Sequence, residues 1–107
     1  MFIKYDEYEL LELFLSEPKS LTGNIEDGEI SYSKKGENDF KLSIHIYTYR
    51  LECSVFLQYN ESDVFSASLE NVTDIKRKDN LLEIYSGDSL ILSIIFRKDF
   101  LIILNEK

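Results

Sequence analysis

The sequence predicts an α+β fold, mostly antiparallel β-sheet with one N-terminal α-helix packed on it. A helical spacing of apolar residues is confined to the region between Asp6 and Pro18. Beyond it the chain alternates apolar and polar residues with period two, and clusters of turn residues interrupt that alternation. We expect about six to eight strands, in a sandwich or a curved sheet. With 107 residues the chain is predicted to form a single domain, residues 1–107.

The helix has start and stop signals. Asp6 followed by Glu9 is a capping box, in which the Asp6 carboxylate accepts from amides of the first turn and Glu9 returns to the cap amide. Pro18 is predicted to end the helix, because the residue before a proline is pushed out of the α region. The predicted buried stripe is Tyr8, Leu11 and Leu15, widened by Leu10 and Phe14. The predicted solvent-facing acids are Glu7, Glu9 and Glu12.

The rest of the chain reads as a meander. Residues 40–47 and 51–58 alternate between a core face and a mixed face. Turns are predicted at 35–39, 60–63, 78–80 and 86–88, each short enough to join neighbouring antiparallel strands.

Two segments of the predicted sheet, the last strands and a basic triplet, depart from simple alternation. The last strands, residues 90–96 and 100–104, are apolar on both faces, so both faces need a cover. We expect the helix to cover one face and the rest of the sheet to fold against the other. The alternative is that these strands stay exposed and form a dimer interface or an aggregation site. The triplet Lys76–Lys78 is predicted to be a solvated turn between two strands.

Acidic charge is concentrated near the N-terminus. Residues 6–29, the acidic segment, hold eight acids and one base, Lys19, whereas the whole chain has a net charge of −8. If the charge served only solubility, it could be spread over the whole surface. Its concentration in one segment therefore makes this segment a candidate docking surface for a basic partner. Acids in a first helical turn also favour the helix dipole, which is a structural alternative for part of the charge.

The composition argues against several classes of function. An acidic chain lacks the basic patch that direct nucleic-acid binding requires. No apolar stretch is long enough to span a bilayer, and the start lacks a secretory signal, so we expect a cytoplasmic protein with no membrane partner.

Catalytic chemistry is not expected either. The single histidine, His45, lies on the mixed face of its strand, whereas the single cysteine, Cys53, lies on the core face of the next. The two side chains should therefore point to opposite sides of the sheet, with Cys53 buried as a small hydrophobe. No spacing of ligands predicts a metal site, and no phosphate-binding loop predicts a cofactor.

An aromatic surface is the second candidate feature. His45, Tyr47 and Tyr49 are predicted to share one side of a strand, with Phe56 on the same side of the next. This surface would lie beside Glu26 to Glu29 if the strand around Ile30 pairs with the strand of Tyr47. A covering loop or second sheet is the alternative. The candidate partner-binding residues are Glu7, Glu9, Glu12, Glu26, Asp27, Glu29, Tyr47 and Tyr49.

The chain resembles a known family. It pairs an acidic N-terminal helix of the kind Tyr8-Glu9-Leu10-Leu11 with a Glu17-Pro18-Lys19-Ser20-Leu21 segment and later strands such as Phe100-Leu101-Ile102-Ile103. This pattern resembles the small β-rich immunity proteins encoded beside bacterial polymorphic and contact-dependent toxins. The resemblance implies a binder that neutralises one cognate toxin, a basic nuclease-type toxin, and it transfers no site residues.

Two other functions remain open on the sequence. A small ligand-binding or regulatory β module would hold an apolar pocket between helix and sheet. A self-assembling structural subunit would use the doubly apolar final strands as its interface. For the immunity protein itself we expect a monomer or a weak homodimer.

Overall fold

A computed structural model describes residues 1–105, so Glu106 and Lys107, the last residues of the predicted domain, lie outside the described residues. These residues form one α-helix, α1 (Glu7–Phe14), and two single 3₁₀ turns, Ile25–Asp27 and Thr48–Arg50. The strands are β1 (Lys19–Ser20), β2 (Glu29–Lys35), β3 (Phe40–Tyr47), β4 (Glu52–Tyr59), β5 (Ser62–Leu69), β6 (Asp74–Lys78), β7 (Leu81–Ser86), β8 (Ser89–Phe96) and β9 (Phe100–Leu104).

The strands form two antiparallel sheets. The five-stranded sheet has the order β1-β2-β3-β4-β5, and the four-stranded sheet has the order β6-β7-β8-β9. The mostly antiparallel α+β prediction is therefore confirmed in its coarse form. Residues 1–105 contain nine strands in two sheets rather than six to eight, because β1 is only two residues long and β6 was read as a turn. The four predicted turns separate strands as expected.

The two sheets share one hydrophobic core. Alternate residues of β2, β3 and β4 face it from one side, and those of β7 and β8 face it from the other. Fully buried core side chains include Tyr32, Leu42, Ile44, Ile46, Cys53, Val55, Leu82, Ile84, Leu92 and Ile94. This burial explains why period-two alternation dominates the sequence after residue 29, although the domain bounds themselves stay a prediction.

The helix begins where the sequence predicts. Asp6 Oδ1 accepts hydrogen bonds from the amides of Tyr8 (2.8 Å) and Glu9 (3.3 Å). The end of the helix differs from the prediction. It stops at Phe14, four residues before Pro18, because Leu15 has a left-handed backbone (φ 55°) and its amide donates to the Leu11 carbonyl.

The predicted buried stripe of the helix is also corrected. Leu10 and Phe14 of the predicted stripe are buried together with Leu13, whereas Tyr8 is 77% exposed and Leu15 is 73% exposed. Leu15 lies beyond the last helical residue, Phe14, and the helix turns the face of Leu10, Leu13 and Phe14 toward the core, which leaves Tyr8 on the opposite face.

The position of the helix differs from the prediction as well. The ring of Phe14 lies 5.5 Å from Tyr32 of the five-stranded sheet and 5.1 Å from Phe96 of the four-stranded sheet. The carboxylate of Glu12 lies 3.1 Å from the Arg77 guanidinium of β6. The helix therefore closes one side of the sandwich between β2 and β6, and it does not cover a face of the last two strands.

The basic triplet also differs from the prediction. Lys76, Arg77 and Lys78 belong to β6 rather than to a turn, and the turn lies at Asp79 and Asn80. Arg77 faces the helix, where its pair with Glu12 satisfies a partly buried guanidinium. A run of charged residues in a sequence suggests an exposed turn, but an edge strand such as β6 also tolerates charged side chains.

Candidate binding surface

The acids of the 25–27 turn are held in place by local hydrogen bonds. The Asn24 side chain accepts from the Glu26 amide (3.1 Å), and the Thr22 hydroxyl donates to Oδ2 of Asp27 (2.7 Å). The turn ends at Gly28, whose backbone is left-handed (φ 73°). Both carboxylates are exposed, so the loop presents them to solvent in a defined arrangement.

Gly28 brings this turn against Tyr49. The amide of Thr48 donates to the Gly28 carbonyl (3.0 Å). A Cβ atom on residue 28 would lie 2.8 Å from Cε2 of Tyr49, so only glycine lets the ring approach this closely. The Tyr49 side chain is nevertheless 64% exposed. It is therefore an exposed aromatic ring that rests on the backbone beside two carboxylates.

The N-terminal residues lie at the same end of the sandwich. The Ile3 amide donates to the Thr48 carbonyl (3.0 Å), which places Phe2, 53% exposed, beside the 48–50 turn. Burial raises the pKa of Tyr5, and the charge of Glu7, two residues further along the chain, raises it further.

One end of the molecule therefore combines negative charge with exposed aromatic side chains. We call it the end surface, and its residues are Phe2, Glu7, Glu26, Asp27 and Tyr49.

Two of the predicted site residues already have partners within the chain. Glu29 and Tyr47 lie directly opposite each other on β2 and β3, as the pairing of these strands was expected to place them. Arg50 lies between them. Its guanidinium is 3.6 Å from the Glu29 carboxylate and 2.6 Å from that of Glu52, and its centre lies 4.6 Å from the centre of the Tyr47 ring. This cation offsets charge that the sequence suggested was free.

The helical acids differ among themselves. Glu7 is exposed, Glu9 is half-buried, and Glu12 pairs with Arg77. Within residues 1–105 the structure shows no ion pair for Glu7, Glu26 or Asp27. These three carboxylates are thus the members of the predicted set that keep their full charge available to a partner.

The predicted aromatic surface is only partly formed. His45 and Phe56 lie on the outer face of the five-stranded sheet with ring centres 4.9 Å apart, and burial lowers the pKa of His45. Tyr47 ends β3, whereas Tyr49 lies in the following 3₁₀ turn and not on the strand face. The left-handed Leu51 (φ 55°) closes that turn. The alternation of residues predicted that Tyr49 continues the strand, but β3 ends two residues earlier, at Tyr47.

Sequence reasoning missed several exposed apolar side chains. Phe2 was not assigned a role, Ile25 (57% exposed) was taken as loop, and Tyr8 was placed in the core. A signal for Tyr8 was present, since the alternative stripe of Leu10, Leu13 and Phe14 leaves Tyr8 on the outer side of the helix. No comparable signal marks Phe2.

The nucleophile and base candidates are separated as expected. Cys53 is fully buried on the inner face and burial raises the pKa of its thiol, whereas His45 lies on the outer face. Residues 1–105 contain no group of three or more His, Cys, Asp or Glu side chains arranged to hold a metal ion. In the same part of the chain no helix has the length and apolar character needed to cross a bilayer.

Fold and surface together define a class: a small antiparallel β-sandwich, closed on one side by a helix, with an acidic and aromatic end surface. Leu10, Leu13 and Phe14 of the helix are buried in the core, and a cleft of about 460 Å³ between the end of the helix and the five-stranded sheet is lined mainly by serine and lysine side chains. No protein-family model matches the chain, and no curated protein matches it.

A solved structure shares the fold. The chain is similar to a chain of the "Contact-dependent growth inhibition toxin - immunity protein complex from Klebsiella pneumoniae 342", with a TM-score of 0.76 and 21% sequence identity over 98% of both chains. The resemblance to proteins of contact-dependent toxin systems is thereby confirmed at the level of the fold.

Proposed function

We propose that this chain is an immunity protein, which binds and neutralises a cognate toxin of a contact-dependent growth inhibition system. The observation that carries the proposal is the end surface, where unpaired carboxylates and exposed aromatic rings meet in a fold shared with a chain of a toxin–immunity complex. The role is that of a non-enzymatic binder acting in the cytoplasm.

The chemistry of the end surface favours a basic partner. Residues 6–29 hold eight acids and one base, so the segment has a net charge of −7. A nuclease-type toxin must present basic groups to the phosphates of its substrate. Clustered carboxylates compete for the same groups, and they steer the encounter between the two proteins over distances of about a Debye length, roughly 8–10 Å at physiological salt.

The proposal assigns different weights to the candidate residues. Tyr49 is the proposed anchor, because a large ring held by the backbone loses little entropy on binding. Glu7, Glu26 and Asp27 provide the charge. Contributions from Glu9, Glu12, Glu29 and Tyr47 are expected to be smaller, since burial or an internal cation reduces what these side chains offer a partner.

A charge-reversal experiment tests the proposal. The partner is the toxin domain encoded beside this chain, or a basic protein recovered from host lysate at low salt. We expect the Glu26→Lys/Asp27→Lys variant to raise the Kd for this partner about 10–100-fold, as loss of favourable charge pairs at an interface does. Titration calorimetry measures the change, and raising the salt should weaken wild-type binding.

The matched control changes net charge by the same amount elsewhere. Glu37→Lys/Glu61→Lys alters two exposed acids in the turns that follow β2 and β4, at the opposite ends of these strands from the 48–50 turn, and should bind like wild type. Unchanged circular dichroism shows that each variant is folded. Equal loss of affinity in both double variants would mean that only net charge matters, and unchanged affinity in Glu26→Lys/Asp27→Lys would remove the end surface from the interface.

A further inference from the structure

The last strand forms an unprotected edge of the four-stranded sheet. β9 pairs with β8 on one side, and no strand within residues 1–105 pairs with its other side. Its five residues, Phe-Leu-Ile-Ile-Leu, include no charged, proline or glycine residue. A free edge of this composition offers unpaired backbone donors and acceptors together with apolar side chains.

Apolar side chains are exposed on both faces of β9, which is the pattern expected where a neighbouring strand is missing. Leu101 (45% exposed) and Ile103 (41%) lie on the outer face, opposite Ile95 and Ser93. Leu104 (45% exposed) lies on the inner face, opposite the fully buried Leu92. A lid over one face would leave the other side uncovered, whereas a neighbouring strand would cover the flanks of both.

A second edge strand of comparable length, β5, provides an internal comparison. β5 ends the five-stranded sheet, and it carries Asp63 together with serines at positions 62, 66 and 68. Charged and small polar side chains are the usual means by which proteins prevent edge strands from pairing. The chain therefore protects β5 and leaves β9 open.

We propose that β9 pairs antiparallel with β9 of a second copy of this chain, which joins two four-stranded sheets into one eight-stranded sheet. The pairing is centred near Ile102, so that Leu101 of one copy lies opposite Ile103 of the other. Each copy thereby completes the hydrogen bonding of the other's edge and covers its exposed side chains.

The charge distribution favours a second copy as the occupant. Residues 70–107 hold seven acids and six bases, so this part of the chain is nearly neutral. A basic partner is attracted to the acidic segment, whereas two copies of an acidic protein repel each other least where they approach through neutral surfaces. Pairing through β9 lets the two copies meet by this nearly neutral part, and it does not depend on the proposed function.

Solution size and edge substitutions test the proposal. Light scattering coupled to size exclusion, from low micromolar to near-millimolar protein, should show a concentration-dependent dimer of the wild type. Ile103→Lys places a charge on the outer face of β9 and should raise the dimer Kd at least about tenfold. Val64→Lys is the matched control, because Val64 is 55% exposed on the protected edge β5 and should leave the dimer unchanged.

Hydrogen exchange gives a second measurement that does not depend on a variant. The outward-facing amides of residues 100–104 should gain protection as protein concentration rises, and those of β5 should not. Raised salt should leave the dimer intact, since the contact is apolar and residual repulsion is screened.

Several outcomes would overturn the proposal. A wild type that stays monomeric at near-millimolar concentration contradicts it, as does a dimer that Ile103→Lys leaves unchanged. A monomeric wild type whose binding to toxin is weakened by Ile103→Lys would assign this edge to the toxin instead. A dimer disrupted by Val64→Lys would place the contact on β5.

Discussion

The two sheets are alike inside and different outside. The central residues of both inner faces are apolar and buried, whereas residues on the edge strands, such as Leu104, are partly exposed. The outer face of the five-stranded sheet is polar and carries Ser31, Ser33, Ser43, His45, Ser54, Ser66 and Ser68. The outer face of the four-stranded sheet is charged over β6 and β7, with Lys76, Lys78 and Glu83, and apolar at its β8 and β9 end, with Ile95, Leu101 and Ile103. The shared core demands the same pattern from both sheets, so the difference between them lies in what each outer surface meets.

Net charge is also distributed unevenly along the chain. The helix and the 25–27 turn hold most of the net negative charge, whereas residues 70–107 are nearly neutral. Long-range attraction is thus directed at the N-terminal region, and the apolar edge β9 lies in a part of the chain with little net charge. One small core therefore supports two surfaces with different physical requirements.

The largest expected effect concerns the side chain that joins the two sheets. Phe14 contacts Tyr32 on one sheet and Phe96 on the other, and it is 1% exposed. Phe14→Ala should lower the free energy of unfolding by about 3–5 kcal/mol, the usual cost of removing a buried aromatic ring. Urea denaturation followed by circular dichroism measures it.

The neighbouring residue is the control for this substitution. Leu15 is 73% exposed, so Leu15→Ala should change the free energy of unfolding by no more than about 0.5 kcal/mol. Similar losses in the two variants would show that the helix is not the link between the sheets.

Substitution of two turn glycines, Gly28 and Gly87, should lower the free energy of unfolding by smaller and unequal amounts. Gly28 and Gly87 both have left-handed backbones (φ 73° and 60°), but only Gly28 has a neighbour, Tyr49, where a Cβ would lie. Gly87→Ala should cost about 1–2 kcal/mol of backbone strain. Gly28→Ala should cost at least about 1 kcal/mol more, because the Tyr49 ring must move.

Thermal denaturation compares the two glycine variants. Toxin affinity provides the second readout, and it should fall for Gly28→Ala alone. Equal costs of the two substitutions, with toxin affinity retained in both, would show that the Tyr49 ring is not held by Gly28.

The smallest expected effect is a pH dependence on the polar outer face. Burial lowers the pKa of His45 below its ordinary value of 6.5, so the unfolded chain binds this proton more readily than the folded one. Stability from this group is present above pH 6.5 and is lost as pH falls towards the lowered pKa of the folded state.

The pH effect can be assigned to one residue because the chain contains a single histidine. His45→Gln should flatten the decline of melting temperature below pH 6.5 relative to wild type. Parallel pH profiles for the two proteins would mean that the ring titrates equally in the folded and unfolded chains.

Sequence reasoning succeeded where neighbours along the chain decide the structure. The Asp6 cap, the four hairpin turns and the core alternation of β3 and β4 all depend on contacts within a few residues or on a period of two. The same local reasoning failed for residues 76–78, whose charges suggested a turn. Pairing with β7 makes them a strand, and that pairing gains its energy from the core on the other side of the sheet.

The location of the acidic residues can be read from the sequence, but which of their carboxylates remain free to bind a partner cannot. The acidic segment is visible in the sequence, yet nothing local indicates that Arg50 meets Glu29 or that Arg77 meets Glu12 across more than 20 residues. The exposure of Tyr49 depends on a glycine 21 positions earlier. Such pairs form only after the strands that carry them have docked.

The sequence by itself determined the fold class, the helix start, the turns and the location of the charge, because these follow from local propensity and composition. Only the tertiary structure decided that the strands divide into two sheets and that the helix closes β2 against β6. It also decided which carboxylates remain unpaired and which edge strand remains open. Those outcomes depend on packing between residues far apart in the chain, and side chains compete for such contacts only once the core has formed.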